Sequence, residues 1–387
     1  MSNSKNIEPG STIGIFGGGQ LGRMLVQVAA RCGYRVVIFT PETDSPAGQI
    51  AHETIQADYD DPAAVQKFAQ MVDVITLEFE NISLAAVARA AEYTVVRPGA
   101  SVLQVAQHRI REKSTLAKHG FPVTPFVPIY SSDDLSQAGE QLGWPLILKT
   151  AVWGYDGKGQ RKVIDMAQAM EAWHMLGPQE IIAEKMIAFE REVSILVARN
   201  PRGQIEIYPL IQNEHSNHIL DVSRCPVSNH DINLCSKAEE IARGVVQALD
   251  CHGLLCIEFF VVGDDELLIN EIAPRPHNSG HLTMEACRTS QFEQQLRAVC
   301  NLPLGSTEMV QPAAMVNLLG DVWGQGKPHF ELAMAEDRTF LHLYGKSEAR
   351  PGRKMGHITC LDNDPQTAAR RAVEIRQALS GRRSLFE

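Results

Sequence analysis

Residues 256–281 read CIEFFVVGDDELLINEIAPRPHNSGH. Two apolar runs flank the turn Gly263-Asp-Asp265, and this pattern predicts a β-hairpin. The hairpin would bring Glu258, within the first run, close to Glu271, which follows the second. A lone carboxylate in an apolar strand is costly unless it is paired or binds a cation. The segment therefore indicates either a divalent-cation site or buried ion pairs.

The oxygen atoms at this hairpin favour Mg²⁺ as the cation. Asn270 directly precedes Glu271, so two carboxylates and an amide would converge there. Mg²⁺ prefers oxygen ligands, keeps several waters and often shares its shell with nucleotide phosphates. The structural alternative is a salt bridge from Glu258 to Arg275 or to a nearby lysine.

The residues after the hairpin indicate an anion site. Pro274–His281 contains one arginine, two histidines and an asparagine, and its proline, serine and glycine predict a loop. His277 and His281 are four residues apart, but zinc-binding histidines at that spacing lie on a helix, so zinc is disfavoured. Arg275 and neighbouring donors fit an anion better.

A second glycine-rich segment lies upstream. Lys149 ends an apolar strand, and Gly154-Tyr-Asp-Gly-Lys-Gly-Gln160 follows. The segment lacks the Walker A pattern. Its backbone N–H groups could fold over phosphates as a flap, and an ordinary hairpin turn is the alternative.

The first hundred residues predict a parallel sheet covered by helices on both faces, because strand and helix signals alternate there. The predicted strands are Thr12–Phe16, Arg35–Thr40 and Val74–Phe79, and the predicted helices are Gln20–Arg31, Pro62–Val72 and Leu84–Ala91. Gly17-Gly-Gly-Gln-Leu-Gly22 joins the first strand to the first helix as G-x-G-x-x-G. This loop either offers N–H groups to an anion or is only a tight turn. Glu42, beyond a proline, fits a nicotinamide dinucleotide site poorly.

Domain organisation follows from the same patterns. We expect a Rossmann-like domain over residues 1–100, an α+β domain with a lid over 101–310, and a small domain over 311–387. Ser101–His119 predicts one charged helix. In the last domain, Lys346-Ser-Glu-Ala-Arg-Pro-Gly-Arg-Lys354 groups four cations around a turn. This cluster indicates a phosphate site, with a solvated loop as the alternative.

Composition excludes several classes of protein. The 387 residues carry 36 Lys+Arg and 46 Asp+Glu, a net charge of −10 that argues against a protein coating nucleic acid. The 8 cysteines form no C-x-x-C pair, which indicates reduced thiols. Neither a membrane-spanning run nor a signal peptide is expected, so we expect a cytoplasmic protein.

Taken together, these motifs resemble the N5-carboxyaminoimidazole ribonucleotide synthetase family of ATP-grasp ligases. The resemblance runs in order from about residue 11 to 360 and is most specific at the histidine-asparagine-serine-glycine-histidine segment and at the C-terminal Arg-Pro-Gly-Arg-Lys turn. The motifs that carry it are Gly17–Met24, Thr76–Asn81, Gly154–Gln160, Asn270–His281 and Arg350–His357.

The resemblance implies an ATP-grasp fold with an N-terminal pre-ATP-grasp domain and a small C-terminal domain. It implies a ligase of purine biosynthesis in which ATP phosphorylates bicarbonate to carboxyphosphate. The amine of 5-aminoimidazole ribonucleotide then takes the carboxyl group, releasing ADP and phosphate. The implied cofactors are ATP with Mg²⁺ or Mn²⁺, and the implied assembly is a homodimer without nucleic-acid or membrane partners.

The resemblance also assigns residues. Glu258 and Glu271 would hold the metal. The 154–160 flap would close over the ATP phosphates to exclude water. Residues implied to bind ATP are Arg109, Lys149, Gly154, Tyr155, Asp156, Gly157, Lys158, Gly159, Gln160, Glu184, Lys185, Met186, Ile187, Glu192, His215, Asn270 and Glu271. Residues implied to act in catalysis are Arg275, His277, Asn278, Tyr155, Asp156 and Lys346, and those implied to bind the ribonucleotide are Gly19, Gln20, Leu21, Glu78, Lys346, Arg353 and Lys354.

Three other functions compete with this one. A formate-dependent glycinamide ribonucleotide transformylase would be expected to lack the Arg350–Lys354 turn in this form. An NAD-dependent oxidoreductase built on the first glycine loop would leave the 154–160 flap and the two acids without a role. A nucleotide-binding sensor without turnover is disfavoured by the complete set of charged residues.

Overall fold

The computed structural model describes residues 5–152, 159–177, 179–227, 231–324 and 326–381. Three β-sheets and the helices packed on them form the structure. Within the described ranges, every helix is too short or too polar to cross a membrane.

The N-terminal sheet has five parallel strands in the order β3-β2-β1-β4-β5. The prediction of a parallel sheet covered on both faces is confirmed: α1 covers one face, and α2 and α3 cover the other. Apolar residues at helical spacing, such as Leu25 and Val28, place one side of α1 against the sheet. The elements are β1 (Thr12–Phe16), α1 (Gln20–Arg31), β2 (Arg35–Thr40), β3 (Glu53–Gln56), α2 (Pro62–Gln70), β4 (Val74–Leu77), α3 (Leu84–Ala91) and β5 (Val95–Val96).

Two helices follow where the sequence predicts one. α4 (Ala100–Ala106) ends before His108, and α5 (Arg109–Lys118) begins after it, so the single helix predicted over Ser101–His119 is wrong. His108 has extended backbone angles, and its Nδ1 accepts the N–H of Arg111 as a cap for α5. The break is stabilised by a bond from the Arg109 N–H to the Ala151 carbonyl.

A small antiparallel sheet in the order β6-β9-β7-β8 carries two helices on one face. Its apolar core includes Leu135 of α6 and Ala169 of α7. The elements are β6 (Phe126–Ile129), α6 (Ser132–Leu142), β7 (Leu146–Thr150), β8 (Gln160–Val163), α7 (Met166–Leu176) and β9 (Ile181–Lys185).

The largest sheet has nine strands and runs from the middle of the chain into its C-terminal part. Its order is β15-β14-β10-β12-β13-β16-β18-β17, with β11 paired to β10. The strands are β10 (Arg191–Arg199), β11 (Ile205–Ile207), β12 (Ile211–Ser216), β13 (Ile219–Cys225), β14 (Gly253–Val262), β15 (Glu266–Ala273), β16 (Ala313–Leu319), β17 (Thr339–Leu343) and β18 (Lys354–Leu361). One sheet therefore contains both the C-terminal strands, which join it through β13, and the predicted hairpin, which is β14 and β15.

The remaining helices bury apolar faces against this sheet and against its neighbour. α10 packs on both, since Phe292 and Leu296 join the core of the N-terminal sheet while Ala298 joins that of the large sheet. The helices are α8 (Ile232–Ala248), α9 (Thr283–Ala286), α10 (Gln291–Val299), α11 (Phe330–Ala335) and α12 (Pro365–Leu379), with 3-10 helices at Asn278–Leu282 and Gly320–Trp323. The loop predicted over Pro274–His281 is therefore partly wrong, because its end is a 3-10 helix.

Candidate active site

A cleft of about 1140 Å³ lies where the three sheets meet, and residues from each of them line it. It brings together most of the residues that the sequence assigns to the site. Those lining it are Gln20, Leu21, Glu78, Arg109, Lys149, Gln160, Glu184, Lys185, Met186, Ile187, Glu192, His215, Glu258, Asn270, Glu271, Arg275, His277, Asn278 and Lys354. The described residues Gly19, Gly159, Lys346 and Arg353 lie outside this lining, and Gly154, Tyr155, Asp156, Gly157 and Lys158 lie outside the described residues.

The two predicted metal ligands face each other across β14 and β15, as the sequence predicts. Glu258 is the register partner of Glu271, whereas its neighbour Phe259 pairs with Ile269. This β-bulge leaves Asn270 out of the pairing and places the second carboxylate opposite the first.

Each of these carboxylates has its own cationic partner in the chain. Oε1 of Glu258 lies 2.8 Å from Nε2 of His277, and Oε2 of Glu271 lies 3.2 Å from Nη1 of Arg109. The salt bridge from Glu258 to Arg275 that the sequence left open is not the pairing observed. No group of three or more histidine, cysteine or acidic side chains arranged for a metal ion occurs in the ranges that the structure describes.

The Glu258–His277 pair shifts both groups towards their charged forms. Burial raises the pKa of the Glu258 carboxyl, but the charge and hydrogen bond of His277 outweigh it and hold that pKa below its usual range. Burial alone would lower the pKa of His277, and the neighbouring Cys256 and Glu258 reverse this and raise it. The carboxylate is therefore ionised at neutral pH.

Arg275 ties the end of β15 to the N-terminal sheet. Its Nη2 donates to Oε1 of Glu80 at 2.9 Å, and its Nε donates to the other carboxylate oxygen. Burial raises the pKa of Glu80, but the guanidinium outweighs it and lowers the net value. The forked pair fixes the plane of the guanidinium at the cleft wall.

A buried lysine pair surrounds Glu184 of β9. Nζ of Lys149 lies 2.7 Å from Oε2, and Nζ of Lys113 lies 3.6 Å from Oε1. Glu184 is only 2% exposed, and although burial raises its pKa, the two ammonium groups lower it to about 2. Its carboxylate is thus held by ammonium groups within the protein. The backbone N–H groups of Lys185 and Met186, which follow it, donate to the carbonyls of Pro125 and Pro145.

Two residues of α5 that lie in this region were not predicted from the sequence. Lys113 donates to the carbonyl of Asn270 at 2.9 Å, and Glu112 lines the cleft and accepts the N–H of Ile272 at 3.4 Å. Burial raises the pKa of Glu112 to about 8. Lys113 lies four residues after Arg109, and that one-turn spacing was a signal that could have revealed it.

Glu192 and His215 form a second acid–histidine pair. They lie on the adjacent strands β10 and β12, and Nδ1 of His215 is 2.6 Å from Oε2 of Glu192. Burial lowers the pKa of the imidazole, but the bond and charge of Glu192 outweigh burial and raise it. His215 is therefore a hydrogen-bonded histidine at the wall of the cleft.

The first glycine loop binds a carboxylate of its own chain. Oε1 of Glu78 accepts the N–H of Gly19 at 2.5 Å, and Oε2 accepts the N–H of Gly22 at 2.8 Å. Burial of Glu78 raises its pKa, and these two bonds oppose the shift. Because the start of α1 already holds this acid, a dinucleotide phosphate would have to displace it, which disfavours the oxidoreductase alternative.

The C-terminal cations converge on one turn. Nζ of Lys346 donates to the carbonyl of Lys354 at 2.8 Å, and Nη1 of Arg353 donates to the carbonyl of Glu348 at 2.9 Å. Burial lowers the pKa of Lys346 to about 8, and the charges of Arg353 and Lys354 act in the same direction. The charge of Glu78 acts in the opposite direction and raises the pKa of Lys346. Because Glu78 is bound by the first glycine loop, the cationic cluster and this loop interact electrostatically.

Comparison with known proteins agrees with this arrangement. Three family models match in order: a ribonucleotide synthetase preATP-grasp domain at residues 11–107, an ATP-grasp domain at 114–292, and a phosphoribosylaminoimidazole carboxylase C-terminal domain at 313–371. The N5-carboxyaminoimidazole ribonucleotide synthase of Bacillus subtilis (strain 168) is 41% identical over 359 residues, covering 91% of this chain and 92% of its own. The chain belongs to the N5-carboxyaminoimidazole ribonucleotide synthase family. It is therefore an ATP-grasp ligase, and the predicted fold class is confirmed.

Solved structures of this family superpose over nearly the whole chain. N5-carboxyaminoimidazole synthetase from Staphylococcus aureus complexed with ADP has a TM-score of 0.90 at 39% identity, covering 97% of this chain and 99% of its own. The Aspergillus clavatus N5-carboxyaminoimidazole synthase in complex with ADP and 5-aminoimidazole ribonucleotide has a TM-score of 0.87 at 32% identity, covering 98% and 100%. A further relative, compared by sequence alone, is the N5-carboxyaminoimidazole ribonucleotide synthase of Brucella melitensis biotype 1. It is 43% identical, and the match covers 92% of this chain and 97% of its own.

Proposed function

We propose that this ligase carboxylates 5-aminoimidazole ribonucleotide with bicarbonate in purine biosynthesis. ATP and bicarbonate give carboxyphosphate and ADP, and the ribonucleotide amine then attacks the carboxyl carbon and releases phosphate. The observation that carries the proposal is one cleft that combines the Glu258–Glu271 pair, Arg275 with His277 and Asn278, and Lys354 of the C-terminal cationic cluster. Family membership supports the same reaction.

ATP would bind along β7, β9 and α5. Lys149 and Arg109 are the cations for its phosphates, and the backbone of residues 184–187 would contact the adenine edge. Glu192 would accept the ribose hydroxyls, and His215 is its partner at 2.6 Å. Glu184 lies between two buried lysines, so contacts within the protein fix the position of Lys149 on this side of the cleft.

The residues present fit a magnesium ion. Glu258 and Glu271 lie opposite each other, and Oδ1 of Asn270 is buried and has no hydrogen-bond partner among the described residues. These hard oxygens match the ligands that Mg²⁺ prefers, and Mn²⁺ takes the same set. When bound, the ion would neutralise charge on the phosphates of ATP.

Bicarbonate and carboxyphosphate would bind beside Arg275, His277 and Asn278. Both side-chain amide atoms of Asn278 are buried without a hydrogen-bond partner among the residues described. A buried unsatisfied amide is costly, so a polar ligand at this position would remove the cost. Arg275, held flat by Glu80, presents a fixed cation to the same anion.

The ribonucleotide would place its 5′-phosphate on Lys346, Arg353 and Lys354. Glu78, with Tyr155 and Asp156, would orient the aminoimidazole, and residues 19–21 would line its site. Closure of the flap at 154–160 would exclude water, which would otherwise hydrolyse carboxyphosphate.

Release of ADP tests the proposal directly. We expect ADP formation that requires both bicarbonate and 5-aminoimidazole ribonucleotide, and none with formate plus glycinamide ribonucleotide. Turnover only with the formate pair would support the transformylase, and tight NADH binding without ATP binding would support the oxidoreductase. Absence of ADP with every substrate pair would support the sensor.

Three further proposals concern the assembly of the protein, its cellular location and its domain boundaries. A homodimer would be tested by light scattering, and a cytoplasmic location by cell fractionation. The division at residues 100 and 310 would be tested by limited proteolysis, in which cleavage is expected near those positions.

A further inference from the structure

Three glutamines of α10 are completely buried, and each makes polar contacts on a different part of the fold. Gln291, Gln294 and Gln295 are 0% exposed. A buried amide is stable only when its donors and acceptor are paired, so each of the three must have a defined set of partners.

Gln291 forms two hydrogen bonds with the backbone of His277. Its Oε1 accepts the His277 N–H at 2.8 Å, and its Nε2 donates to the His277 carbonyl at 2.8 Å. Backbone N–H groups only donate and carbonyls only accept, so these two bonds fix which end of the amide is oxygen. These two bonds thereby hold the backbone of His277, which lies within the segment Pro274–His281 predicted to bind an anion.

The remaining donor of Gln291 determines the proton position on His281. Nε2 of Gln291 lies 3.0 Å from Nδ1 of His281, and since this nitrogen of Gln291 is a donor, Nδ1 must be an acceptor. The neutral imidazole therefore carries its proton on Nε2. His281 is 1% exposed and lines the cleft, and no described residue is a hydrogen-bond partner for that Nε2–H.

We propose that Gln291 is a positioning residue that holds His277 in place and presents the Nε2–H of His281 to an oxyanion in the cleft. The inference rests on the proposed function, in which that anion is bicarbonate or the acyl phosphate formed from it. His281 is then a further donor for the anion, beside His277 and Asn278. Its ring is held by aromatic neighbours, with His357 at 4.8 Å and Phe292 at 5.7 Å between ring centroids.

Gln294 provides a matched control on the same helix. Its Oε1 accepts the N–H of Gly305 at 2.8 Å, and its Nε2 donates to the carbonyl of Gly305 at 2.7 Å. Gln294 thus forms the same two hydrogen bonds with the backbone of one residue as Gln291 does, but it does not line the cleft. Replacing either glutamine by methionine keeps the shape and removes this pair of backbone bonds, and at Gln291 it also removes the bond to His281.

The experiment compares Gln291→Met with Gln294→Met in the full chain. We expect both variants to lose thermal stability, and Gln291→Met to lose somewhat more because it breaks one further hydrogen bond. Only Gln291→Met should lower kcat by about tenfold to 100-fold, because misplaced groups lose orientation, and KM for ATP should change less than about twofold. It should also raise the ratio of ADP formed to ribonucleotide carboxylated, because carboxyphosphate held loosely is hydrolysed. Equal effects of both variants on kcat and on this ratio would overturn the inference.

A measurement on the unmodified protein covers the case in which Gln291→Met does not fold. In protein labelled with ¹⁵N-histidine, the His281 ring should show the proton on Nε2, with the signal assigned by its loss in His281→Phe. A proton on Nδ1 would overturn the inference. The two proposals fail separately, since the proposed function fails if the unmodified enzyme shows no ADP release dependent on bicarbonate and the ribonucleotide.

Discussion

Glu258 and Glu271 are register partners across β14 and β15, yet each is paired with a cation from a different part of the chain. His277 binds the first at 2.8 Å, and Arg109 binds the second at 3.2 Å. Each of these two neighbouring carboxylates is therefore balanced by its own positive charge. A metal ion bound with ATP would compete with these two cations for the same oxygens.

Replacing Glu271 by glutamine should abolish turnover and leave the fold intact. The change removes a proposed metal ligand, and the ion pair lost with Arg109 is 40% exposed on the glutamate side, so it contributes at most about 1 kcal/mol to stability. ADP release at ordinary Mg²⁺ and the thermal midpoint are the two measurements. Glu308→Gln, which breaks the exposed pair with Arg288, is the control and should retain activity. Near-normal turnover of Glu271→Gln would contradict the assignment.

Replacing Lys354 by alanine should raise KM for the ribonucleotide more than KM for ATP. One charge-assisted contact to a phosphate corresponds to about 1.5–3 kcal/mol, or roughly 10- to 150-fold in KM. Initial rates with each substrate varied in turn measure the two constants. Arg350→Ala is the control in the same turn, since Arg350 is 71% exposed and pairs with Glu348. An equal rise in both constants would move the cluster away from the substrate phosphate.

Lys346 should make ribonucleotide binding sensitive to alkaline pH. Burial lowers its pKa to about 8, so the free enzyme loses this positive charge as the pH rises through that value. We expect kcat/KM for the ribonucleotide to fall above about pH 8, because that ratio reports groups of the free enzyme. Lys346→Arg keeps the charge at high pH and should remove the fall. If kcat/KM of Lys346→Arg fell over the same pH range, the fall would be due to another titrating group.

A methyl group added at Gly17 should disturb the Glu78 carboxylate. Gly17 has φ +105°, and a Cβ there would lie 2.3 Å from Cγ of Glu78. Gly33 has φ +82° with its nearest neighbour, Pro9, at 3.7 Å, so Gly33→Ala measures the backbone cost alone, about 1–3 kcal/mol. Urea unfolding should show a loss for Gly17→Ala that exceeds the control by about 1–3 kcal/mol, with a raised ribonucleotide KM. Equal losses of unfolding free energy in Gly17→Ala and Gly33→Ala would mean that the Glu78 side chain moves aside without cost.

Removing Lys113 should destabilise the nucleotide side of the cleft. Lys113→Met leaves Glu184 buried with one fewer cation, and breaking a buried pair on one side costs about 3–5 kcal/mol. Lys237→Met is the control, because Lys237 is half exposed and pairs with Asp265 at 2.7 Å on the surface. Unfolding free energies of both variants measure the difference. A loss as small as that of the control would show that Lys149 alone compensates Glu184.

Much of the fold follows from local pattern. β1, α1, β2 and α3 have the bounds that the sequence predicts, because strand and helix periodicities are properties of short segments. The break between α4 and α5 was missed, since it depends on a bond from Arg109 to Ala151, some forty residues away along the chain. Edge strands such as β3 and β6 were missed because short, half-exposed segments carry little hydrophobic signal.

The sequence by itself determined the family, the alternation of strands and helices, and the chemical types gathered in the cleft, because motifs and periodicity are written locally in the chain. Only the tertiary structure decided which charges meet. The hairpin pattern predicts that Glu258 and Glu271 lie close together, but the bulge at Asn270 that puts them in direct register is seen only in the structure. The pairing of Glu258 with His277, and of Glu78 with the first glycine loop, is likewise seen only there. Ion pairs between residues far apart in sequence depend on packing between sheets and on burial, and neither quantity can be read from the spacing of residues along one strand.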